Sequence, residues 1–169
     1  MTSLYETNYN KFADYIRSKP VIYKMFKIIY KYIPYGTILA YGSLVLWCVL
    51  FNRNLWQTAR VVLVPLTGFV IVSLMRKIFN FERPYTKYNI KPLITKNKSG
   101  ESFPSRHTFS IGIIGMAFLY VNVPLGIIML FLMVILAISR VVAGVHFVKD
   151  VIGAIIMAVL LGLIGFFII

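Results

Sequence analysis

The chain has 169 residues, of which 59% are hydrophobic and 14% are charged. Soluble domains average about 45–50% apolar and about 25% charged residues, so this composition excludes an ordinary soluble globule and favours a lipid bilayer as the solvent. The chain has 18 lysines and arginines but only five aspartates and glutamates. So few carboxylates argue against a two-metal hydrolase, which needs several converging acidic ligands. The single cysteine, Cys48, lies in an apolar stretch and is interpreted as core packing.

The chain opens with a polar segment followed by an amphipathic one. Residues 1–20 lack the apolar core of a cleavable signal peptide. From Pro20 to Ile33, apolar residues recur at steps of three and four, and lysines occupy the opposite face. A basic amphipathic helix of this kind lies flat at a membrane surface. We therefore predict an interfacial unit over residues 1–34 and a transmembrane bundle over residues 35–169.

The rest of the chain contains apolar stretches long enough to cross a bilayer. One charge-free run, Thr108–Ser139, would be about 48 Å long as a single helix, against a hydrocarbon core of about 30 Å. We therefore place a break at Asn122–Pro124. The predicted fold class is an all-α integral membrane protein, a bundle of about five transmembrane helices plus an N-terminal amphipathic interfacial helix. The other predicted spans are Tyr35–Phe51, Leu55–Met75 and Val151–Ile169.

Five spans fix which polar segments share a membrane face. We call the face that carries the amphipathic helix side A. Because successive spans alternate in direction, the basic segment 76–106 and the segment Arg140–Asp150 both lie on side A. Together they contain both histidines of the chain, His107 and His146. The sequence therefore predicts that the two imidazoles meet at one rim of the bundle.

His146 and Asp150 are four residues apart, so on a helix they would share one face. An aspartate beside a histidine fixes its tautomer and makes the other ring nitrogen a better nucleophile. Ionisable residues in membrane segments are costly and point to function. The alternative is a structural histidine–aspartate pair at a helix end.

Ser105 and His107 lie where the third span begins. Free backbone amides at a helix start, together with the positive end of the helix dipole, favour an anion. His107, in the first turn, could reach the same anion. The alternatives are that Ser105 is an ordinary N-cap and that the position of His107 is incidental.

Arg76 and Lys77 follow the end of the second span, and Arg83 lies further into the polar segment. Arg76 and Arg83 are seven residues apart, so both point the same way if the helix continues. Guanidinium groups match phosphate oxygens two at a time. The alternative is that these basic residues anchor the helix end to lipid headgroups.

In this order, the clusters resemble the three signature motifs of the type 2 phosphatidic-acid phosphatase superfamily, which also includes vanadium haloperoxidases. The motifs read Arg–x6–Arg-Pro, Pro-Ser-Arg-His and Ser-Arg–x5–His–x3–Asp. The third, Ser139 to Asp150, matches the family pattern at every fixed position. Arg106 stands where glycine is more usual. Arg76 fills a position normally held by lysine, with Lys77 beside it, so that either could reach the phosphate.

The resemblance implies a phosphatase that needs no metal and no cofactor. His146 would attack phosphorus and form a phosphohistidine, while Asp150 would orient it. His107 would protonate the leaving oxygen and then activate water. The residues implied to hold the phosphate oxygens are Arg76 or Lys77, Arg83, Ser105, Arg140 and, through its amide, Arg106.

Membrane embedding favours a lipid phosphomonoester or pyrophosphate as substrate. Phosphatidylglycerol phosphate, phosphatidic acid, undecaprenyl pyrophosphate and a lipid A phosphate all remain open. The expected partners are this lipid and the bilayer, with no nucleic acid. The main alternative is a non-enzymatic transporter or flippase-like protein that holds anionic lipid. A vanadate-dependent oxidant is disfavoured because apolar spans serve no purpose in that chemistry.

The expected location is a bacterial cell membrane. The excess of lysine and arginine on side A would place that face in the cytoplasm by the positive-inside rule. The resemblance instead implies a site on the extracytoplasmic face. Cations that bind phosphate are poor topology markers, so we expect the extracytoplasmic arrangement.

Overall fold

The structure, a computed structural model, describes residues 3–51 and 54–168, which form helices and connecting loops without a β-strand. Over these described ranges, seven α-helices follow one another, and a π-helical turn at Ile164–Ile168 extends the last of them. The α-helices are α1 (Leu4–Ser18), α2 (Pro20–Phe51), α3 (Leu55–Phe79), α4 (Pro84–Lys87), α5 (Arg106–Val121), α6 (Val123–Val142) and α7 (Val148–Leu163). The predicted all-α membrane fold is confirmed.

Within the described residues, four helical segments are long and apolar enough to cross a bilayer. They are Pro20–Phe51, Leu55–Lys87 (which contains α3 and the short α4), Val123–Val142 and Val148–Ile168. The shorter apolar helix α5 packs against α2, α3, α6 and α7, and most of its residues are buried. A Cβ atom added at Gly112 of α5 would lie 2.7 Å from the Cβ atom of Ala158, so the small residue lets α5 and α7 approach closely. The chain is therefore an integral, multi-pass membrane protein with α5 at its centre.

The predicted break between the third and fourth spans is confirmed. Asn122 ends α5 and caps α6, where its side chain accepts a hydrogen bond of 3.1 Å from the amide of Leu125. Pro124 occupies the first turn of α6, where a missing N–H costs nothing.

The N-terminal boundaries differ from the prediction. The expected division at residue 34 falls inside α2, which runs without interruption past Pro34. A separate amphipathic helix, α1, precedes it, in a segment whose helix the sequence analysis missed. Ser3 and Glu6 form a reciprocal capping box at its start. A serine followed three residues later by a glutamate is typical of a helix start, so the sequence does indicate this helix.

Helix α1 fastens the long loop between α4 and α5 to the end of α6. The Tyr9 hydroxyl donates to the carbonyl of Val142 at 3.1 Å and accepts from the amide of Leu93 at 3.4 Å. Three further side chains of α1 bind the backbone of the same loop: Glu6, Asn10 and Arg17. The loop that carries several side A cations is thus held in place by helix contacts.

Candidate active site

A cavity of about 120 Å³ opens between the helix ends on side A. We call it the side A cavity. Both histidines line it, so the structure brings together the two polar segments that are distant in sequence. Its lining residues are Tyr30, Arg76, Arg83, Lys96, Lys98, Arg106, His107, Arg140, Val145 and His146.

His146 is held by a fully buried carboxylate, that of Asp150. The Asp150 Oδ2 atom lies 3.4 Å from His146 Nδ1. The same oxygen accepts hydrogen bonds from the Phe147 amide at 2.9 Å and from the Ser102 hydroxyl. Three groups therefore converge on one carboxylate oxygen, which fixes the position of the imidazole.

The predicted reason for this pairing was wrong, although the pairing itself is present. α7 begins at Val148, so His146 precedes the helix and does not share a helical face with Asp150. The chain turns at Phe147, and Asp150 reaches back from the first turn of α7. Ser102 was missed because a lone serine in a polar loop carries no pattern.

The contact at Nδ1 determines which nitrogen of His146 is available. With Asp150 ionised, Nδ1 carries the proton, and Nε2 keeps its lone pair; this tautomer is assigned from the hydrogen-bond network. Burial lowers the pKa of His146 to about 4, although the hydrogen bond that His146 donates to Asp150 opposes this shift, and the charge of Arg83 lowers the pKa further. The imidazole is therefore neutral at neutral pH, as a nucleophile must be.

The structure distinguishes Arg76 from Lys77. The Arg76 side chain is buried, and its Nη1 atom donates to the carbonyls of Ser102, at 3.3 Å, and Pro104. Its Nε atom has no hydrogen-bond partner among the described residues. Lys77 is exposed and does not line the side A cavity. Arg76, and not Lys77, is positioned to bind an anion.

Arg83 reaches the cavity by a different route from the one predicted. α3 ends at Phe79, where Asn80 adopts a left-handed backbone conformation with φ 41°, so Arg76 and Arg83 are not on one helix. The Arg83 guanidinium instead connects two loops. It donates hydrogen bonds to the carbonyl of Gly100, before α5, at 3.0 Å and to that of Val145, before α7, at 3.4 Å.

Arg140, in the last turn of α6, lies against the ring of Tyr30 with its guanidinium carbon 3.9 Å from the ring centroid. Its Nη2 atom also donates to the Tyr30 carbonyl at 3.4 Å. Its Nε atom has no hydrogen-bond partner among the described residues. Tyr30 was missed because it fell within the predicted interfacial helix.

At the start of α5, Arg106 and His107 line the cavity but Ser105 does not. The Ser105 hydroxyl is fully buried and lies 3.1 Å from that of Thr108. Ser105 is the N-cap residue of α5, but its side chain makes no capping hydrogen bond. The Ser105 amide instead donates to the Asp150 backbone carbonyl at 2.9 Å and so joins the two histidine-bearing segments.

The electrostatics of the cavity suit an anion. Of the described residues that line it, six are lysines or arginines and none is acidic. Lys98 is paired with Glu101 at 2.7 Å. Over residues 3–51 and 54–168, no three histidine, cysteine or acidic side chains cluster closely enough to hold a metal ion.

Fold and cavity together define an integral membrane protein with a cation-rich cavity lined by two histidines and several arginines. Residues 57–169 match the model of the PAP2 superfamily, and the chain belongs to that superfamily. The resemblance drawn from the three motifs is thereby confirmed, as is the expectation that the protein is a hydrolase of phosphate esters.

Two curated relatives come from Bacillus species. Undecaprenyl-diphosphatase BcrC of Bacillus subtilis is 29% identical over 133 residues, which cover 76% of this chain and 67% of the relative. The bacitracin transport permease protein BcrC of Bacillus licheniformis is 28% identical over 158 residues, which cover 90% of this chain and 72% of the relative.

Two solved structures share the fold. LpxE of Aquifex aeolicus superposes with a TM-score of 0.70 at 22% identity, over 86% of both chains. The PAP2-type phosphatidylglycerolphosphate phosphatase of Bacillus subtilis superposes with a TM-score of 0.66 at 23% identity, over 97% of this chain and 85% of the other.

Proposed function

We propose that this protein is a metal-independent lipid phosphatase that hydrolyses a lipid phosphomonoester or diphosphate through a phosphohistidine at His146. One observation carries the proposal: His146 presents Nδ1 to the buried carboxylate of Asp150 and lines a cation-rich cavity that it shares with His107. This arrangement supplies an oriented nucleophile, a second imidazole for proton transfer and charges to hold phosphate.

In the first step, the lone pair on His146 Nε2 attacks phosphorus in line with the leaving oxygen. The bond from phosphorus to that oxygen breaks, and its electron pair stays on the oxygen, which His107 protonates. The imidazole of His146 becomes positively charged, and the Asp150 carboxylate stabilises that charge. In the second step, His107 takes a proton from water, the water oxygen bonds to phosphorus, and phosphate leaves His146.

Three guanidiniums, those of Arg76, Arg83 and Arg140, hold the non-bridging oxygens. Phosphoryl transfer needs little beyond positioning and stabilisation of these oxygens, and preorganised cations provide both. The unpartnered Nε atoms of Arg76 and Arg140 support this role, since each is a buried donor that lacks an acceptor among the described residues. The amide of Arg106, at the first position of α5, assists. We assign no phosphate contact to Lys77 or to the Ser105 hydroxyl.

The substrate is a lipid, because the cavity opens at the rim of a bundle whose outer surface is apolar. The name of one relative supports a prenyl diphosphate, and the name of one solved structure supports phosphatidylglycerol phosphate. The rival function is transport, which the name of one relative suggests. A carrier of anionic lipid would need the cations but not the His146–Asp150 pair.

Hydrolysis should survive excess chelator. None of the described residues that line the side A cavity is acidic, and Asp150 lies behind His146 with its Oδ2 atom engaged by three groups. Phosphate release by the purified protein should therefore change by less than about twofold with EDTA, because fixed arginines supply the stabilising charge. Activity that collapses with EDTA and returns with magnesium would contradict the proposed mechanism.

We further propose that side A faces the extracytoplasmic side of a bacterial cell membrane. A cysteine placed at the exposed loop residue Asn97 should then react with a membrane-impermeant thiol reagent in intact cells. The native Cys48 is buried, which keeps the background low. Val123→Cys, exposed at the opposite end of the bundle, is the matched control and should react only after permeabilisation. The reverse labelling pattern would place the site in the cytoplasm.

A further inference from the structure

A buried serine behind the side A cavity belongs to none of the three motifs. Ser102 lies in the loop before α5, is fully buried and does not line the cavity. Its amide donates to the carbonyl of Phe81 at 2.8 Å, its carbonyl accepts from Arg76 Nη1 at 3.3 Å, and its hydroxyl donates to Asp150 Oδ2. Ser102 therefore connects two groups that the proposed mechanism uses, a phosphate-binding guanidinium and the carboxylate behind the nucleophile.

The hydroxyl of Ser102 contacts the imidazole as well as the carboxylate. Its Oγ atom is 3.5 Å from His146 Nδ1, and the carboxylate oxygen to which it donates is 3.4 Å from the same nitrogen. An ionised carboxylate only accepts hydrogen bonds, so the serine proton is directed to Asp150; this direction is assigned from the hydrogen-bond network. The serine oxygen keeps lone pairs that face the Nδ1 proton. Both oxygens therefore favour the tautomer in which Nε2 keeps its lone pair.

The Asp150 carboxylate has one support from a distant part of the chain. The other partners of its Oδ2 atom, the Phe147 amide and the His146 imidazole, come from the segment immediately before α7. Its Oδ1 atom has no hydrogen-bond partner among the described residues. Ser102 lies 48 residues earlier in the chain. Without the serine hydroxyl, the carboxylate would be held only by groups of its own segment, which move with it.

The backbone of Ser102 holds the phosphate-binding side of the site. Arg76 Nη1 donates to the carbonyls of Ser102 and Pro104, and Arg76 is one of the guanidiniums assigned to the phosphate oxygens. One residue thus helps to set the distance between a bound phosphorus atom and the attacking Nε2 atom of His146. In-line attack is sensitive to this distance, since a misplacement of about 1 Å costs on the order of 10²-fold in rate.

We propose that Ser102 is a positioning residue for phosphoryl transfer, whose hydroxyl holds the Asp150 carboxylate against Nδ1 of His146 and so directs Nε2 at the bound phosphorus. The inference rests on the proposed function. Ser102 contacts no substrate and keeps its proton throughout. It therefore acts on the rate of the chemical steps and not on the binding of phosphate.

The test is the kinetics of Ser102→Ala in the detergent-purified full chain. The substrate is whichever the wild type cleaves fastest among phosphatidic acid, phosphatidylglycerol phosphate, farnesyl phosphate and farnesyl diphosphate. The variant should lower kcat by about 10- to 100-fold, because the carboxylate is no longer held. KM and the inhibition constant of inorganic phosphate should change by less than about threefold, because alanine keeps the backbone carbonyl that binds Arg76. Thr37→Val, which removes a buried hydroxyl bonded within α2, is the matched control and should leave kcat unchanged.

A double-mutant cycle shows whether Ser102 acts through Asp150. Asp150→Asn removes the charge that the hydroxyl positions, so adding Ser102→Ala should lower the residual rate by less than about threefold. A residue that only supports the fold would cost the same in both backgrounds. Ser102→Cys, which has a similar size but donates only weakly, should lower kcat by about 10-fold. It replaces the alanine variant in the cycle if that variant does not fold.

Unchanged inhibition by inorganic phosphate shows that a variant is folded. An unchanged kcat, a loss of phosphate binding that parallels the loss of kcat, or full additivity with Asp150→Asn would each overturn the role of Ser102 while leaving the proposed function intact. A wild-type protein that releases no phosphate from any of the four substrates would instead refute the proposed function and, with it, this inference.

Discussion

Replacing His146 with alanine should lower phosphate release by about 10⁴-fold or more. Removal of the nucleophile in a catalytic unit of this kind costs on the order of 10⁶-fold, and what remains comes from binding and charge stabilisation. The measurement is phosphate release from a panel of lipid phosphates by detergent-purified protein. Incubation with ³²P-labelled substrate should give an acid-labile, alkali-stable phosphoenzyme with the wild type and none with His146→Ala.

Lys77→Ala is the matched control for this experiment. Lys77 is exposed near the same membrane face but lies outside the side A cavity, so its removal should change activity by less than about twofold. Substrate binding separates the enzyme from the rival transporter. If the protein only holds anionic lipid, His146→Ala will bind and carry lipid nearly as well as the wild type, and no variant will release phosphate.

Replacing His107 with alanine should have an effect that depends on the leaving group. With a phospholipid substrate the leaving oxygen is an alkoxide that needs a proton, and activity should fall by about 10²- to 10⁴-fold. With p-nitrophenyl phosphate the leaving group needs no protonation, so the first step should remain fast. The second step still needs His107 to activate water.

Pre-steady-state kinetics will show this difference. His107→Ala should release a burst of nitrophenol equal to the amount of enzyme, followed by slow turnover and accumulation of the phosphohistidine. Arg106→Lys, which keeps the backbone amide and the positive charge beside His107, is the control and should show no burst of this kind. An equal loss for both leaving groups, with no accumulated intermediate, would argue against the acid role of His107.

The sequence predicts most strongly what depends on length and composition. A charge-free run too long for one span requires the break that the structure has at Asn122, and the alternation of spans brings His107 and His146 to one face. Both conclusions need only the thickness of a bilayer and the sign of the charges. The order of the motifs then identified the superfamily.

The sequence predicts less well the features that depend on where a helix stops. Arg83 and His146 were both placed on helices from their spacing, and both lie in loops next to helix ends. Their side chains reach the cavity because backbone carbonyls and the Asp150 carboxylate hold them there. Such contacts join residues far apart in sequence and leave no periodic trace, which is also why Ser102 and Tyr30 were missed.

The hydrogen bonds by which α1 holds the α4–α5 loop have a practical consequence for recombinant forms of the protein. A version trimmed to begin at Pro20 would retain every side chain of the side A cavity. It would nevertheless lose the hydrogen bonds of the Tyr9 hydroxyl to Val142 and Leu93. It would also lose the hydrogen bonds that other side chains of α1 make to the backbone of the loop. Affinity tags therefore belong at the carboxyl end, where they do not disturb the contacts of α1.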